Sequence, residues 1–455
     1  MVPSRRLLIG FALVVVPFVT LAALFPVAAS ICYAIIALFS FAVFVDAIYP
    51  DGILNNLCIR PFGDISVTKG KSHALKLEID NSGGKKATLR VAIPFPDGFV
   101  PTFEEMIADL QAGIKKSIVD WPFRACSRGN YQIAECYVEH ASILGLWNKR
   151  RSVPLAARIV VYPNLLEKKK DAALVLLRNR EGTHNRNQAG KGKNFEKLRE
   201  YTRGDSFHDI HWKVTAKRRQ PVSKVFQLER NNEVYLALDC SRFMARVVEQ
   251  ETTPDGEVDT DQPVSSANES FLEKAITATL LMAMSAEKEQ DQFGLLTFSD
   301  QVHQIILAGS GRAHFLRCRS SIFDLAPRLV TPDFGELIST ISLKIRKRAL
   351  IFFVTCLDDP LLSESFLESI DILTRKHRVI VISIKPKSIA PLFSSEVHAV
   401  DDIYEGLSGH FESENLLQLE QQLRRKGARF MAVQNEKLVM EMLSAYFNLK
   451  NEGAL

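Results

Sequence analysis

Two uninterrupted apolar runs, Leu7 to Phe25 and Val27 to Val45, stand near the start of the chain and are parted only by Pro26. A helix needs about 20 apolar residues to cross a hydrocarbon core of ~30 Å, and each run has roughly that length. No charged residue lies between Leu7 and Val45. Proline inside a helix loses a hydrogen bond and clashes with the preceding turn, so Pro26 favours a break between two helices. Arg5 and Arg6 precede the first run and favour a cytoplasmic N-terminus. The expectation is a transmembrane hairpin in the inner membrane, with the rest of the chain returned to the cytoplasm and the lipid bilayer as one partner. Two other readings remain: a cleaved leader ending near Ala28-Ala29-Ser30, and one long broken span that would place the remainder outside.

The 455 residues call for two or three domains rather than one core. The net charge of +5 is spread along the chain, which gives nucleic-acid binding no support. The seven cysteines follow no Cys-x-x-Cys spacing and read as free thiols rather than a disulfide framework.

From Asp64 to about Asn164 the pattern alternates with period two. Leu75, Leu77 and Ile79 point one way, and Lys76, Glu78 and Asp80 the other. Asn81-Ser82-Gly83-Gly84 is a turn signal, and Leu89, Val91 and Ile93 resume the alternation, which predicts a hairpin. Tyr131 to Ile133 and Arg158 to Tyr162 are further strand candidates, and Thr102 to Ala112 reads as a short helix. Short strands separated by turn residues predict a small antiparallel β-sandwich.

Glu167 to Lys193 is a charged, Asn- and Gly-containing connector without the aromatics that stack on bases. It leads into Arg199-Glu200-Tyr201, Gly204-Asp205, Ile210-His211-Trp212-Lys213 and Ala216-Lys217. Gly204-Asp205 marks a turn, Trp212 is a large apolar body with one donor, and Arg199, Glu200, Asp205 and Lys213 are candidates for an ion-pair cluster. These residues, with Arg128-Gly129-x-Tyr131, Leu144-Gly145-Leu146 and Val161-Tyr162-Pro163, resemble the signature of the domain-of-unknown-function 58 family, for which a two-helix start is usual. The resemblance runs from about Asp64 to the C-terminus.

Beyond Asn232 strands and helices alternate. Val234 to Leu238, Phe293 to Phe298, Ala349 to Val354, Val379 to Ile384 and Ala428 to Val433 are continuous apolar runs, as expected of strands buried on both faces. Val302 to Leu307 suits an antiparallel edge. Helical periodicity covers Phe271 to Ala286, Leu337 to Ile345, Glu414 to Arg425 and Glu436 to Asn448, and Glu249 to Ser270 is a polar insertion. The pattern predicts a doubly wound, mostly parallel sheet. The expected organisation is a hairpin over 1–60, a β-sandwich over 61–165, linker and signature over 166–230, and the α/β domain over 231–455.

Ligands of such sheets bind at the carboxyl ends of the strands. There Asp239-Cys240-Ser241-Arg242-Phe243 resembles the Asp-x-Ser-x-Ser metal site of von Willebrand factor A domains, with Phe243 in place of the second serine. The resemblance implies a degenerate site for Mg²⁺, a hard cation that takes oxygen ligands. Its ligands would be Asp239, Ser241 and Asp358, with Thr331 or Asp333 near the second loop and Phe243 as a candidate apolar anchor. No phosphate-cradling Gly-x-x-x-x-Gly-Lys-Ser/Thr motif and no Gly-x-Ser-x-Gly elbow occurs. The expected function is a non-enzymatic membrane scaffold whose A-type domain docks a protein. The family resemblance implies a MoxR-type AAA+ ATPase as that partner. An outward-facing adhesin or envelope enzyme is the alternative.

Overall fold

The computed structural model describes residues 1–49, 52–55, 57–84, 86–165, 189–202, 205–227, 232–247, 269–385, 389 and 400–451. Most of the charged connector, most of the polar insertion and Gly204 lie outside them. The chain forms two compact units, one built on Met1–Pro163 and the other on the chain beyond it.

The first unit begins with two helices long and apolar enough to cross a membrane. Helix α1 runs over Arg5–Leu24 and includes a wider-wound turn at Phe11–Val15. Ser4 caps it, accepting from the Leu7 amide. A short turn at Pro26–Ala28 leads into α2, Ala29–Ile48. The Phe39 ring lies where a Cβ on Gly10 would stand 3.2 Å away, so glycine lets the helices approach there.

Apart from a single helical turn at Gly52–Asn55, the rest of this unit is β, with β1 at Val2–Pro3. One sheet joins β2 (Leu57–Pro61), β4 (Ser72–Asn81), β8 (Lys116–Ala125) and β6 (Phe99–Pro101) in that order. The other runs β1, β10 (Trp147–Tyr162), β9 (Gly129–Ala141), β5 (Ala87–Ala92) and β7 (Glu105–Leu110), with β3 (Ile65–Thr68) parallel to β10. Leu77, Ile79 and Trp121 of the first sheet share one core with Leu89, Val138 and Ile159 of the second.

Two expectations fail here. Leu75–Asp80 and Leu89–Ile93 are not a hairpin: β4 pairs with β2 and β8, while β5 pairs with β7 and β9. Asn81–Gly84 therefore carries the chain from one sheet to the other. Both strands bury their apolar side chains in the common core, and alternation reports a buried face without naming the neighbour. Thr102 to Ala112 is no helix. Glu105–Leu110 is a strand paired antiparallel to β5, and that cross-strand ladder outweighs its local preference.

The second unit opens with β11 (Ala189–Glu200) antiparallel to β12 (Val222–Gln227), with helix α3 (Trp212–Arg218) between them. Its main sheet has the order β15, β14, β13, β16, β17, β18. These are Val302–Gly309, Gln292–Phe298, Glu233–Asp239, Leu350–Thr355, Arg378–Lys385 and Arg429–Gln434. All pairs are parallel except β14 with β15. Val234, Leu236 and Leu238 pack with α4 (Phe271–Lys288) and the last helix, Leu438–Asn451. Tyr235 and Ala237 pack with helices Phe334–Lys344, Pro360–Thr374 and Val400–Arg425. The central strand is apolar on both faces because each face has its own layer of helices. At Gly294 a Cβ would stand 2.4 Å from the Tyr235 ring on the neighbouring strand, so only glycine fits.

Candidate functional site

Strand β13 ends at Asp239, which is fully buried. Its Oδ1 accepts from the Ser241 amide at 2.7 Å and its Oδ2 from the Thr355 hydroxyl at 2.6 Å. Burial pushes the Asp239 carboxyl up to about 6, and the hydrogen bonds from Thr355 and Ser241 pull it only part of the way back. Ser241 is equally buried, and its Oγ has no hydrogen-bond partner among the described residues.

Three loops meet at this end of the sheet. The loop after β13 is tied to the 328–333 loop by two backbone bonds, Arg328 N–H to Cys240 O at 2.7 Å and Arg242 N–H to Val330 O at 3.1 Å. Thr355, at the end of β16, closes onto Asp239 and leads directly to Asp358. Asp358 is ion-paired with Arg246, while its Oδ1 is buried without a partner. Arg246 and Arg242 lie over the Phe243 ring at 5.7 and 4.9 Å.

Of the residues singled out from the sequence, Asp239 and Ser241 sit together and Asp358 belongs to the adjoining loop. Thr331 and Asp333 are exposed on the second loop. Asp333 caps helix Phe334–Lys344 by accepting from the Glu336 amide at 3.0 Å. Phe243 requires correction: it is 8% exposed and belongs to the apolar core, so it is no surface anchor. A large ring next to a buried strand end gains more by packing inward than by facing water. Among the described residues, exposed apolar side chains on these loops include Leu329, 88% exposed, and Leu361, 77% exposed. Neither is in a motif, and only the register of the loops identifies them.

Asp239, Ser241 and Asp358 are oxygen donors of the kind Mg²⁺ takes, and Ser241 Oγ and Asp358 Oδ1 have lone pairs that no hydrogen bond among the described residues uses. The Arg246 guanidinium competes with a cation for Asp358. No group of three or more His, Cys, Asp or Glu with metal-site geometry occurs among the described residues. A second polar constellation escaped the sequence reading. Ser299 Oγ lies 2.6 Å from both His303 Nε2 and Asp300 Oδ1. The carboxylate bonds the serine, not the far imidazole nitrogen, and Ser299 is fully buried. The arrangement lacks the orienting acid of a nucleophilic triad.

In the signature stretch, Arg199 pairs with Asp205. Asp205 also accepts from the Thr202 amide at 3.2 Å. Among the described residues, Glu200 and Lys213 enter no ion pair. Tyr201 packs near Phe207 with ring centroids 6.1 Å apart, and both Phe207 and Trp212 are exposed.

Residues 197–406 match the family model described as "Protein of unknown function DUF58". No curated protein matches the chain. Among solved structures, the SpRpn10 VWA domain is similar at 14% identity and TM-score 0.26, over 47% of this chain and 93% of that one. Proximal thread matrix protein 1 of the mussel byssus is similar at 9% identity and TM-score 0.26, over 48% of this chain and 45% of that one. A native alpha-2-macroglobulin fragment from Escherichia coli reaches 17% identity and TM-score 0.17, over 22% of this chain and 16% of that one.

Proposed function

We propose that this chain, whose residues 197–406 match the DUF58 family model, is a non-enzymatic, membrane-anchored scaffold. Its doubly wound, von Willebrand A-like unit docks a protein partner at the carboxyl edge of the sheet. A MoxR-type AAA+ ATPase is the partner that the family resemblance implies, and the soluble units face the cytoplasm. The observation that carries the reading is the convergence of three loops on Asp239, with buried, unpartnered oxygens on Ser241 and Asp358. A strand-end rim of this kind is where such sheets bind ligands. Leu329 and Leu361 flank it as apolar anchors, and exposed apolar side chains at a polar rim mark association sites.

Mg²⁺ is the ion this donor set would hold, and a partner carboxylate would complete its shell. With Arg246 supplying positive charge to Asp358, docking does not require the metal. The hairpin reading draws support from a loop that touches both ends of the two-helix segment. Ser4 bonds Leu146 O and Gly145 O, at 2.9 and 2.6 Å. Asp46, near the end of α2, accepts from Ser142 Oγ and from the Leu144 and Leu146 amides. Two ends held by one loop lie on one side of a bilayer.

The test is binding of the purified chain to the ATPase by calorimetry. Leu329→Ser with Leu361→Ser should weaken association roughly tenfold or more, as loss of two apolar anchors does. Chelator should change it little. Association abolished by chelator and by Asp239→Ala, with the leucine variant unaffected, would make the contact metal-bridged. Association unaffected by all of these would move docking to the exposed Phe207 and Trp212.

A further inference from the structure

Where α2 ends, a cleft of about 490 Å³ is lined by Asp46, Tyr49, Lys86, Thr88, His140 and Lys149 among others. Lys149 is 8% exposed, and its ammonium donates to the Tyr49 carbonyl. Among the described residues no carboxylate pairs with it. Asp46 is the one carboxylate lining the cleft among those residues, and its oxygens are engaged by Ser142, Leu144 and Leu146. A buried ammonium whose partner is a neutral carbonyl is poorly compensated, and an anion entering the cleft would relieve it. Lys86 stands exposed at the edge of the same cleft, and the His140 ring is held by the Thr88 carbonyl at 3.2 Å.

The position of the cleft decides which anion. Tyr49 directly follows a helix long enough to span a bilayer, so the cleft opens at headgroup depth. Beside it, Ile143 and Leu144 are exposed at the tip of the loop that clasps both helix ends. Exposed apolar side chains at that level sit in the boundary between headgroups and acyl chains. Basic groups behind an apolar lip match an amphiphile with a phosphate and acyl tails.

We propose that this cleft seats the headgroup of an anionic phospholipid, with the phosphate on Lys149 and Lys86 and the acyl chains beside Ile143 and Leu144. The site rests on the membrane-anchored reading.

The experiment uses the full chain in nanodiscs of phosphatidylglycerol and phosphatidylcholine in equal parts, with co-purifying lipid counted by native mass spectrometry. Retained phosphatidylglycerol should exceed phosphatidylcholine by roughly fivefold for each lysine engaged. Lys149→Gln and Lys86→Gln should each reduce that preference by a similar factor. Lys86 is exposed, so its variant keeps the test open if Lys149→Gln fails to fold. Equal retention of the two lipids, or a preference unchanged in Lys86→Gln, overturns the site. Loss of the preference on adding millimolar inorganic phosphate would assign the cleft to a water-soluble anion and overturn the lipid. Alkaline carbonate extraction separates the two failures. A chain released from membranes refutes the anchor, whereas one retained without headgroup preference refutes the cleft alone.

Discussion

Asp239 is charged at neutral pH in surroundings that disfavour the charge. Burial raises its carboxyl from 3.8 to about 6. The folded state thus holds this proton more tightly than the unfolded chain does. The stability from this group is complete below about pH 4 and is lost as the pH rises through about 6. Near pH 7 the buried charge costs up to about 3 kcal/mol. Asp239→Asn keeps an acceptor oxygen and removes the charge. Chemical denaturation should show it about 1–3 kcal/mol more stable than the parent near pH 7 and no more stable near pH 4. A variant less stable at both pH values would show that the hydrogen bonds to Ser241 and Thr355 outweigh the charge. Arg246 makes a second prediction at this scale. It holds Asp358 in the ion pair that a cation would contest. Arg246→Gln should therefore raise Mg²⁺ affinity severalfold in titration calorimetry, and unchanged affinity would remove Asp358 from the ligand set.

At the scale of elements, the clasp between the helices and the β9–β10 loop is the most demanding feature of the first unit. Asp46→Ala would orphan the Leu144 and Leu146 amides and the Ser142 hydroxyl, each at about 1–3 kcal/mol if left unpaired. Chymotryptic cleavage within residues 142–147 of the detergent-solubilised chain should then accelerate severalfold. Unchanged cleavage would mean that Ser4 and the Trp147 indole, which donates to Val43 O at 3.0 Å, suffice to hold the loop. Elements of this kind differ in how far they can be read from sequence. Every strand of the parallel sheet was legible, because burial on both faces produces long apolar runs such as Leu350–Thr355. Helix Pro360–Thr374 went unread although Phe366, Ile370 and Leu373 carry a helical period. Helix Arg312–Ile322 buries only Cys318 and Ile322 fully and leaves little pattern to read. In the first unit alternation located β4 and β5 but not their partners, since pairing depends on contacts remote in sequence. At the candidate site the ligand-type residues Asp239, Ser241 and Asp358 were visible as chemistry. The inward turn of Phe243 and the outward placement of Leu329 and Leu361 depend on packing that no local pattern encodes.

For the whole molecule, the core around Trp121 and the two layers around β13 share no residue. Leu77→Ala and Leu236→Ala, each a buried truncation costing about 2–5 kcal/mol, should lower different transitions in calorimetry. A single transition moved by both would show cooperative unfolding of the two units. Topology has its own measurement: reporters fused at Gly63 and at Leu455 should both register cytoplasm, and a periplasmic signal from either would refute the arrangement. The purified chain should also turn over neither ATP nor a generic ester. Turnover lost on one point substitution would establish an enzyme. The clasp adds a consequence for how the protein is made. Ser4 and Gly145 are 141 residues apart, and a nascent chain emerges N-terminus first. If the helices are inserted as proposed, they leave the insertion machinery well before the loop that fastens them has been translated. In the proposed hairpin, a chain arrested short of that loop would be unlatched, its Asp46 carboxylate lacking the three donors that engage it in the finished fold.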